Sequence, residues 1–102
     1  MTSPTQISAA VKSRKDVLRG LGLRSLVLFG SAARGEAGPE SDLDFLYEFD
    51  PDAATLDHLL ALQDALEDCL GREVDLVSRK YASPILRRYI GDDMVPVFDA
   101  RD

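Results

Sequence analysis

The chain has 102 residues, of which 45% are hydrophobic and 29% charged, and its formal net charge is -6. This length predicts a single globular domain over residues 1–102 and leaves no room for a second, while so small a core favours self-association or a complex with a partner protein. The negative charge disfavours direct binding to nucleic acid or an anionic membrane, and one cysteine with no long apolar run or signal-like N-terminus predicts a cytoplasmic protein.

The hydrophobic pattern predicts helices that alternate with strands. The first half predicts fraying over residues 1–4, a helix from about Ile7 that ends near Gly20 or Gly22, a strand over 25–29, a helical turn through Arg34 and a loop over 35–41. The second half predicts a strand over 43–49, a helix over 55–70 closed by Gly71, a strand over 73–78, a helix from Ser83-Pro84 through Ile90 and an edge strand over 94–98. The strand–helix–strand unit makes the second and third strands parallel.

Two aspartates stand at the start of the second predicted strand. Because side chains alternate along a strand, Asp42 and Asp44 point to the same side. Two like charges so close raise each other's proton affinity unless a cation lies between them, and a hard divalent ion such as Mg²⁺ suits carboxylate oxygens. Asp75, inside the apolar run "EVDLV", supplies a third acid on the neighbouring strand. Together the three predict a site for two metal ions.

The turn at Gly30-Ser31 is expected at the same edge of the sheet. It follows the first strand, and if that strand is antiparallel to the second, its end meets the start that carries Asp42 and Asp44. Glycine lets a phosphate approach the backbone, and amides and a serine hydroxyl at a helix start can bind phosphate oxygens. This arrangement suits group transfer from a metal-bound nucleoside triphosphate.

Gly30-Ser31, ten intervening residues and Asp42-x-Asp44 resemble the signature of the DNA polymerase beta-like nucleotidyltransferase superfamily. The stretch "FGSAARGEAGPESDLD" is similar to the form typical of the minimal nucleotidyltransferase group, including Arg34, Gly35 and Ser41, and Asp75 matches that family's third acid. The likeness runs from about residue 17 to residue 77, and the C-terminal "SPILRRYI…MVPVF" is similar to the family's tail.

This resemblance implies an α/β (α+β) nucleotidyltransferase fold, with a small mixed sheet of three or four strands and helices mainly on one face. It implies ATP as substrate, two Mg²⁺ ions, and transfer of AMP to a hydroxyl with release of pyrophosphate. The implied roles are metal binding by Asp42 and Asp44, metal binding and help in deprotonating the acceptor by Asp75, triphosphate binding by Gly30 and Ser31, and support of a phosphate or the loop by Arg34.

Proteins of this group commonly resemble antitoxins whose partner is a HEPN-domain ribonuclease toxin. The resemblance therefore implies attachment of AMP to a toxin hydroxyl, typically a tyrosine. Two alternatives remain open: a non-catalytic module that neutralises the toxin by occlusion, and a nucleotidyltransferase that modifies a small molecule. The missing second domain argues against the small-molecule enzyme.

Other chemistry-bearing residues have simpler explanations. A Walker A loop is excluded because "GSAARGE" lacks its Gly-Lys-Ser/Thr ending, and an EF-hand fails because Leu46 and Glu48 interrupt the ligand series. His58 has no second histidine and is expected to be structural or exposed, and Cys69 is expected in the core. The acids Asp57, Asp64, Glu67 and Asp68 predict a solvated helix face. The pair Arg87 and Arg88 is explained equally well by a contact with a nucleotide phosphate or a partner and by the preference for positive charge at a helix C-terminus.

Overall fold

The computed structural model describes residues 3–36, 38, 41–80, 84 and 93–101. Its elements in chain order are α1 (Pro4–Lys12), α2 (Lys15–Gly20), β1 (Leu23–Phe29), β2 (Leu43–Phe49), α3 (Leu56–Leu70), β3 (Val74–Ser78) and β4 (Val95–Asp99), with 3₁₀ turns at Gly30–Ala32 and Pro51–Ala53. The helix predicted from Pro84 through Ile90, with Arg87 and Arg88, lies outside the described residues apart from Pro84.

The four strands form one mixed sheet in the order β3-β2-β1-β4. β1 is antiparallel to β2 and to β4, while β2 and β3 are parallel, as the strand–helix–strand unit predicts. β4 lies at the edge of the sheet and pairs with β1 on one side. An edge strand tolerates Pro96, which has no amide hydrogen to donate, better than a central strand would. The mixed sheet of four strands confirms the predicted fold class.

The described helices pack on one face of the sheet. Leu28, Leu43 and Phe45 from the two central strands lie in one buried cluster with helical residues. The helical members with no exposed surface are Ile7, Val11, Leu18, Leu62 and Leu66. The opposite face carries a second, smaller cluster of Val27, Phe29 and Leu46, against which Val77 packs. Asp44 shares this second face, because it alternates with Leu43 and Phe45 along β2.

The N-terminal segment departs from the prediction of one continuous helix. α1 ends at Lys12, and the amide of Arg14 donates to the carbonyl of Val11 only three residues back, so the chain tightens and restarts as α2. This break turns Val17 outward, with 49% of its surface exposed, while Leu18 is buried. The expected fraying is also wrong for Ser3, which forms a capping box with Gln6 at the start of α1.

The long helix α3 begins and ends as predicted. The hydroxyl of Thr55 accepts from the amide of His58, and Gly71 closes the helix with φ at +67°. Its apolar stripe is broader than its buried face, however, because Leu56 and Leu60 are 69% and 50% exposed. Within the described ranges, no helix has the length and apolar character needed to cross a membrane.

Candidate active site

Asp44 is the centre of the site because β2 lies between β1 and β3. In the antiparallel ladder it faces Phe29, the residue before Gly30, and in the parallel ladder it stands in register with Asp75. Asp42 lies two positions earlier on the same chain segment, just before β2 begins. The sheet therefore brings the three predicted aspartates and the Gly30-Ser31 turn to one end of the strands.

The carboxylates of this cluster interact with one another. Burial, followed by the negative charges of Asp75 and Asp42 and a hydrogen bond with Asp75, raises the pKa of Asp44 above its ordinary value. Asp44 is partly buried, whereas Asp42 and Asp75 are exposed. Desolvation therefore falls on Asp44, on a central strand, and Asp75 is exposed because it belongs to the edge strand β3.

The donor set fits a hard divalent cation. Carboxylate oxygens are the ligands that Mg²⁺ takes in proteins, and a cation would relieve the repulsion that raises the pKa of Asp44. Among the residues that the structure describes, no three Asp, Glu, His or Cys side chains are already grouped closely enough to hold an ion. The acids share one end of the strands, where Asp44 and Asp75 are in register and already close enough to interact.

The Gly30 position is constrained by its backbone and by its neighbour. Its φ is +76°, a left-handed conformation that side chains other than glycine disfavour, and a Cβ built there would lie 2.6 Å from Oδ2 of Asp44. The chain then turns as a 3₁₀ helix over Gly30–Ala32, and the carbonyl of Ser31 accepts from the amides of Arg34 and Glu36. The turn predicted from the sequence is present, and Gly30 gives the Asp44 carboxylate its space.

Arg34 joins this turn to the segment before β4. Its guanidinium donates to Glu36 at 3.0 Å and to Asp93 at 3.4 Å, and its side chain is 42% exposed. The hydrogen bond to Glu36, above all, raises the pKa of Arg34. A phosphate would have to displace these two carboxylates from Arg34, and its expected role, support of a phosphate or of the loop, stays a prediction.

Two residues near the site did not stand out in the sequence. Arg72 donates from Nη2 to the carbonyl oxygens of Gly38 and Ser41, in the loop that leads to Asp42. Glu67, which was expected on a solvated face, accepts from the amide of Val74 through Oε2 at 3.2 Å. In the sequence, Arg72 is marked only by its position, as a cation between Gly71, which ends a helix, and the strand that carries Asp75.

The predictions for residues away from the site differ in outcome. His58 is structural, because its Nδ1 lies 2.8 Å from the carbonyl oxygen of Ala53. Cys69 is only partly buried on α3, and burial raises the pKa of its thiol. Asp57 and Asp64 are exposed as expected, and Asp68 is also exposed but forms an ion pair with Arg14 at 2.6 Å.

Comparison with known proteins gives the same family as the sequence motif. A family model described as a nucleotidyltransferase domain matches residues 7–97. A protein of Methanocaldococcus jannaschii named as a protein adenylyltransferase is 34% identical over 100 residues, which are 95% of this chain and 100% of that protein.

Two solved structures share the fold. A toxin–antitoxin crystal structure with AMP-PNP has a TM-score of 0.68 at 23% identity, over 90% of this chain and 73% of that one. A structure of a tri-AMPylated Shewanella oneidensis HEPN toxin in complex with its MNT antitoxin has a TM-score of 0.62 at 21% identity, over 91% and 72%. The family model and the Methanocaldococcus jannaschii relative show that the chain belongs to the nucleotidyltransferase domain family, which confirms the enzyme class predicted from the sequence.

Proposed function

We propose that this protein is a Mg²⁺-dependent protein adenylyltransferase that transfers AMP from ATP to a hydroxyl, specifically a tyrosine, of a cognate HEPN-domain toxin. The observation that carries the proposal is the in-register pair Asp44 and Asp75 beside the Gly30-Ser31 turn. The name of the Methanocaldococcus jannaschii relative and the AMPylated toxin in the Shewanella oneidensis complex support the same activity.

Each residue of the site has a part in the transfer. Asp42 and Asp44 would hold both metal ions, and Asp75 would hold the one nearer the acceptor. When bound, Mg²⁺ supplies positive charge that offsets the triphosphate and stabilises the charge developing on the leaving pyrophosphate. Gly30 leaves the backbone open to a phosphate, and the hydroxyl of Ser31 with the amides at the start of the turn would donate to phosphate oxygens.

The proposed reaction is one in-line displacement. The acceptor oxygen forms a bond to the α-phosphorus while the bond between that phosphorus and the bridging oxygen of pyrophosphate breaks. The proton of the acceptor hydroxyl passes to the carboxylate of Asp75, whose exposure leaves it open to a group arriving from outside the chain. Arg34, held by Glu36 and Asp93, would keep the turn in place while the nucleotide binds.

The acceptor is expected to bring its own binding surface. Asp42 and Asp75 are exposed, and β3, which carries Asp75, is an edge strand of the sheet. A partner protein can therefore present a hydroxyl directly to the site. Attached AMP adds bulk and negative charge to the toxin, and either property would hinder RNA from entering a ribonuclease cleft.

The proposal is tested by label transfer with purified proteins. ATP labelled at the α-phosphate, Mg²⁺ and a HEPN-domain protein from the same organism are combined, and the modified side chain is identified by mass spectrometry. We expect label on a toxin tyrosine with wild type and with Asp64→Asn, an exposed aspartate on α3, and none with Asp44→Asn or Asp75→Asn. Labelling of a small molecule in preference to the toxin would overturn the proposed acceptor.

Occlusion without catalysis is the second candidate, and exposed apolar surface favours it. Leu56 and Leu60 are 69% and 50% exposed on α3, which offers a binding surface that does not involve the acids. The double variant Asp42→Asn/Asp44→Asn separates the candidates in cells at equal expression. If it still neutralises the toxin, occlusion is sufficient; if protection is lost while the complex still forms, the chemistry is required.

A further inference from the structure

Arg72 connects the two chain segments that deliver Asp75 and Asp42. It lies between α3 and β3, and its side chain is partly buried. From there its Nη2 reaches the carbonyl oxygens of Gly38 and Ser41, and Ser41 immediately precedes Asp42. One guanidinium thus ties the beginning of β3 to the end of the loop that carries the first aspartate.

Further hydrogen bonds make both ends of this connection firm. On the β3 side, Glu67 accepts from the amide of Val74 at 3.2 Å. Within the loop, the amide of Gly38 donates to Oγ of Ser41 and the amide of Ser41 donates to the carbonyl of Gly38, both at 3.2 Å. The ladder itself begins where the amide of Leu43 donates to the carbonyl of Glu73 at 3.1 Å. Asp42 therefore sits between two fixed points, the Arg72 contact and the first ladder bond.

We propose that Arg72 is a positioning residue for divalent-cation binding, which holds Asp42 against the Asp44–Asp75 pair. This inference rests on the proposed function, since it assumes that the three acids share metal ions. Asp42 precedes the strand and is exposed, so the position of its carboxylate depends on the loop that leads to it as well as on the first ladder bond. Without the Arg72 contact, repulsion from Asp44 and Asp75 would favour loop conformations that carry Asp42 away from them.

A positioning role explains the contact better than a contribution to overall stability. Nε of Arg72 is buried and has no hydrogen-bond partner among the residues that the structure describes, and the desolvation of that donor offsets part of what the two carbonyl contacts contribute. Loss of the side chain should therefore change the loop more than it changes the unfolding equilibrium. Lysine can place a single ammonium near the carbonyls but lacks the planar guanidinium, so it should replace Arg72 only in part.

The test measures binding of Mn²⁺ alone to the full chain, by the loss of the free-ion electron paramagnetic resonance signal. Arg72→Ala and Arg72→Lys are compared with wild type, and Arg24→Ala is the control. Arg24 forms an ion pair with Asp50 at 3.1 Å, beyond the end of β2 that is farthest from the acids. Hydrogen exchange of the amides of residues 41 and 43 and thermal melting are recorded for each variant.

We expect Arg72→Ala to bind Mn²⁺ about 10- to 100-fold more weakly, by analogy with the loss of groups that orient metal ligands, because Arg72 orients Asp42 through the adjoining loop. The two loop amides should exchange faster while the melting temperature stays within a few degrees of the control. Arg72→Lys should recover part of the affinity, and Arg24→Ala should bind as wild type does.

Two results would overturn the inference while leaving the proposed function intact. One is Mn²⁺ affinity in Arg72→Ala within about twofold of wild type. The other is weaker Mn²⁺ binding by both Arg72 variants that is explained by their global unfolding, as shown by thermal melting. Wild-type protein that binds no Mn²⁺ would instead overturn the metal-dependent function and this inference together.

Discussion

Replacing Gly30 by alanine adds a single methyl group beside the carboxylate of Asp44. The backbone there has a φ of +76°, and the added methyl carbon would stand 2.6 Å from Oδ2 of Asp44. Contacts of that length between a methyl group and a carboxylate oxygen are not tolerated, so either the carboxylate rotates or the turn shifts. Both movements separate the Gly30-Ser31 turn from Asp44, and the variant should lose metal and nucleotide binding.

The backbone strain sets the expected change in stability. A residue other than glycine in the left-handed region costs about 1–2 kcal/mol. For a domain of this size, such a loss lowers the melting temperature by roughly 5–10 °C. The methyl contact with Asp44 adds to this, unless the carboxylate moves toward solvent and relieves its own desolvation.

Gly22→Ala is the matched control. Its φ of +78° is nearly the same, and its added methyl would clash with Cβ of Ala53, at the end of the sheet away from the acids. Both variants should therefore lose stability, and AMP transfer is compared at a temperature where both are folded. We expect transfer to fall at least 100-fold in Gly30→Ala and to stay near wild type in Gly22→Ala. Equal activity in the two variants would refute the proposed role of the Gly30 space.

Three further predictions concern charge and packing. Because the pKa of Asp44 is raised on folding, the free energy of unfolding should fall as pH rises from the ordinary aspartate pKa through the raised one. The variant Asp44→Asn should lose this pH dependence and have a higher metal-free melting temperature at neutral pH. We expect Mg²⁺ with ATP to raise the melting temperature of wild type and to have no such effect on Asp44→Asn. In urea unfolding, Leu62→Ala should cost about 2–5 kcal/mol, since Leu62 is fully buried, whereas Leu60→Ala, at a half-exposed position of the same helix, should cost under about 0.5 kcal/mol. By NMR, Asp99 should titrate at a pKa of about 2, because its carboxylate accepts a hydrogen bond from Arg101. Its contribution to stability should therefore be lost as pH falls toward that value. If Asp99 still titrated at about 2 in Arg101→Ala, this cause would be contradicted.

The positions of the candidate site residues in the fold could be predicted because each follows from a local sequence pattern. The strand pattern predicts that Asp44 lies on β2 with Asp42 two residues before it, and the parallel crossover through α3 puts Asp75 in register with Asp44. Glycine at position 30 and the loop that follows mark the turn without any knowledge of long-range contacts.

What the sequence did not reveal depends on packing between distant segments. No proline or glycine marks the break after Lys12, and apolar spacing continues across it, so the separation of α1 from α2 is decided by tertiary packing. The contacts of Arg72 span more than 30 residues of chain, from position 72 back to positions 38 and 41. A single cation in a short turn carries no pattern from which such a contact could be deduced.

The most direct measurement of the central claim is a crystal structure with Mn²⁺ and a non-hydrolysable ATP analogue, in which anomalous scattering locates the metal. We expect two Mn²⁺ peaks about 2.1 Å from carboxylate oxygens, both bound by Asp42 and Asp44 and one bound also by Asp75, with the phosphates on Gly30 and Ser31. Metal bound elsewhere, or an Asp75 carboxylate turned away from both peaks, would contradict it.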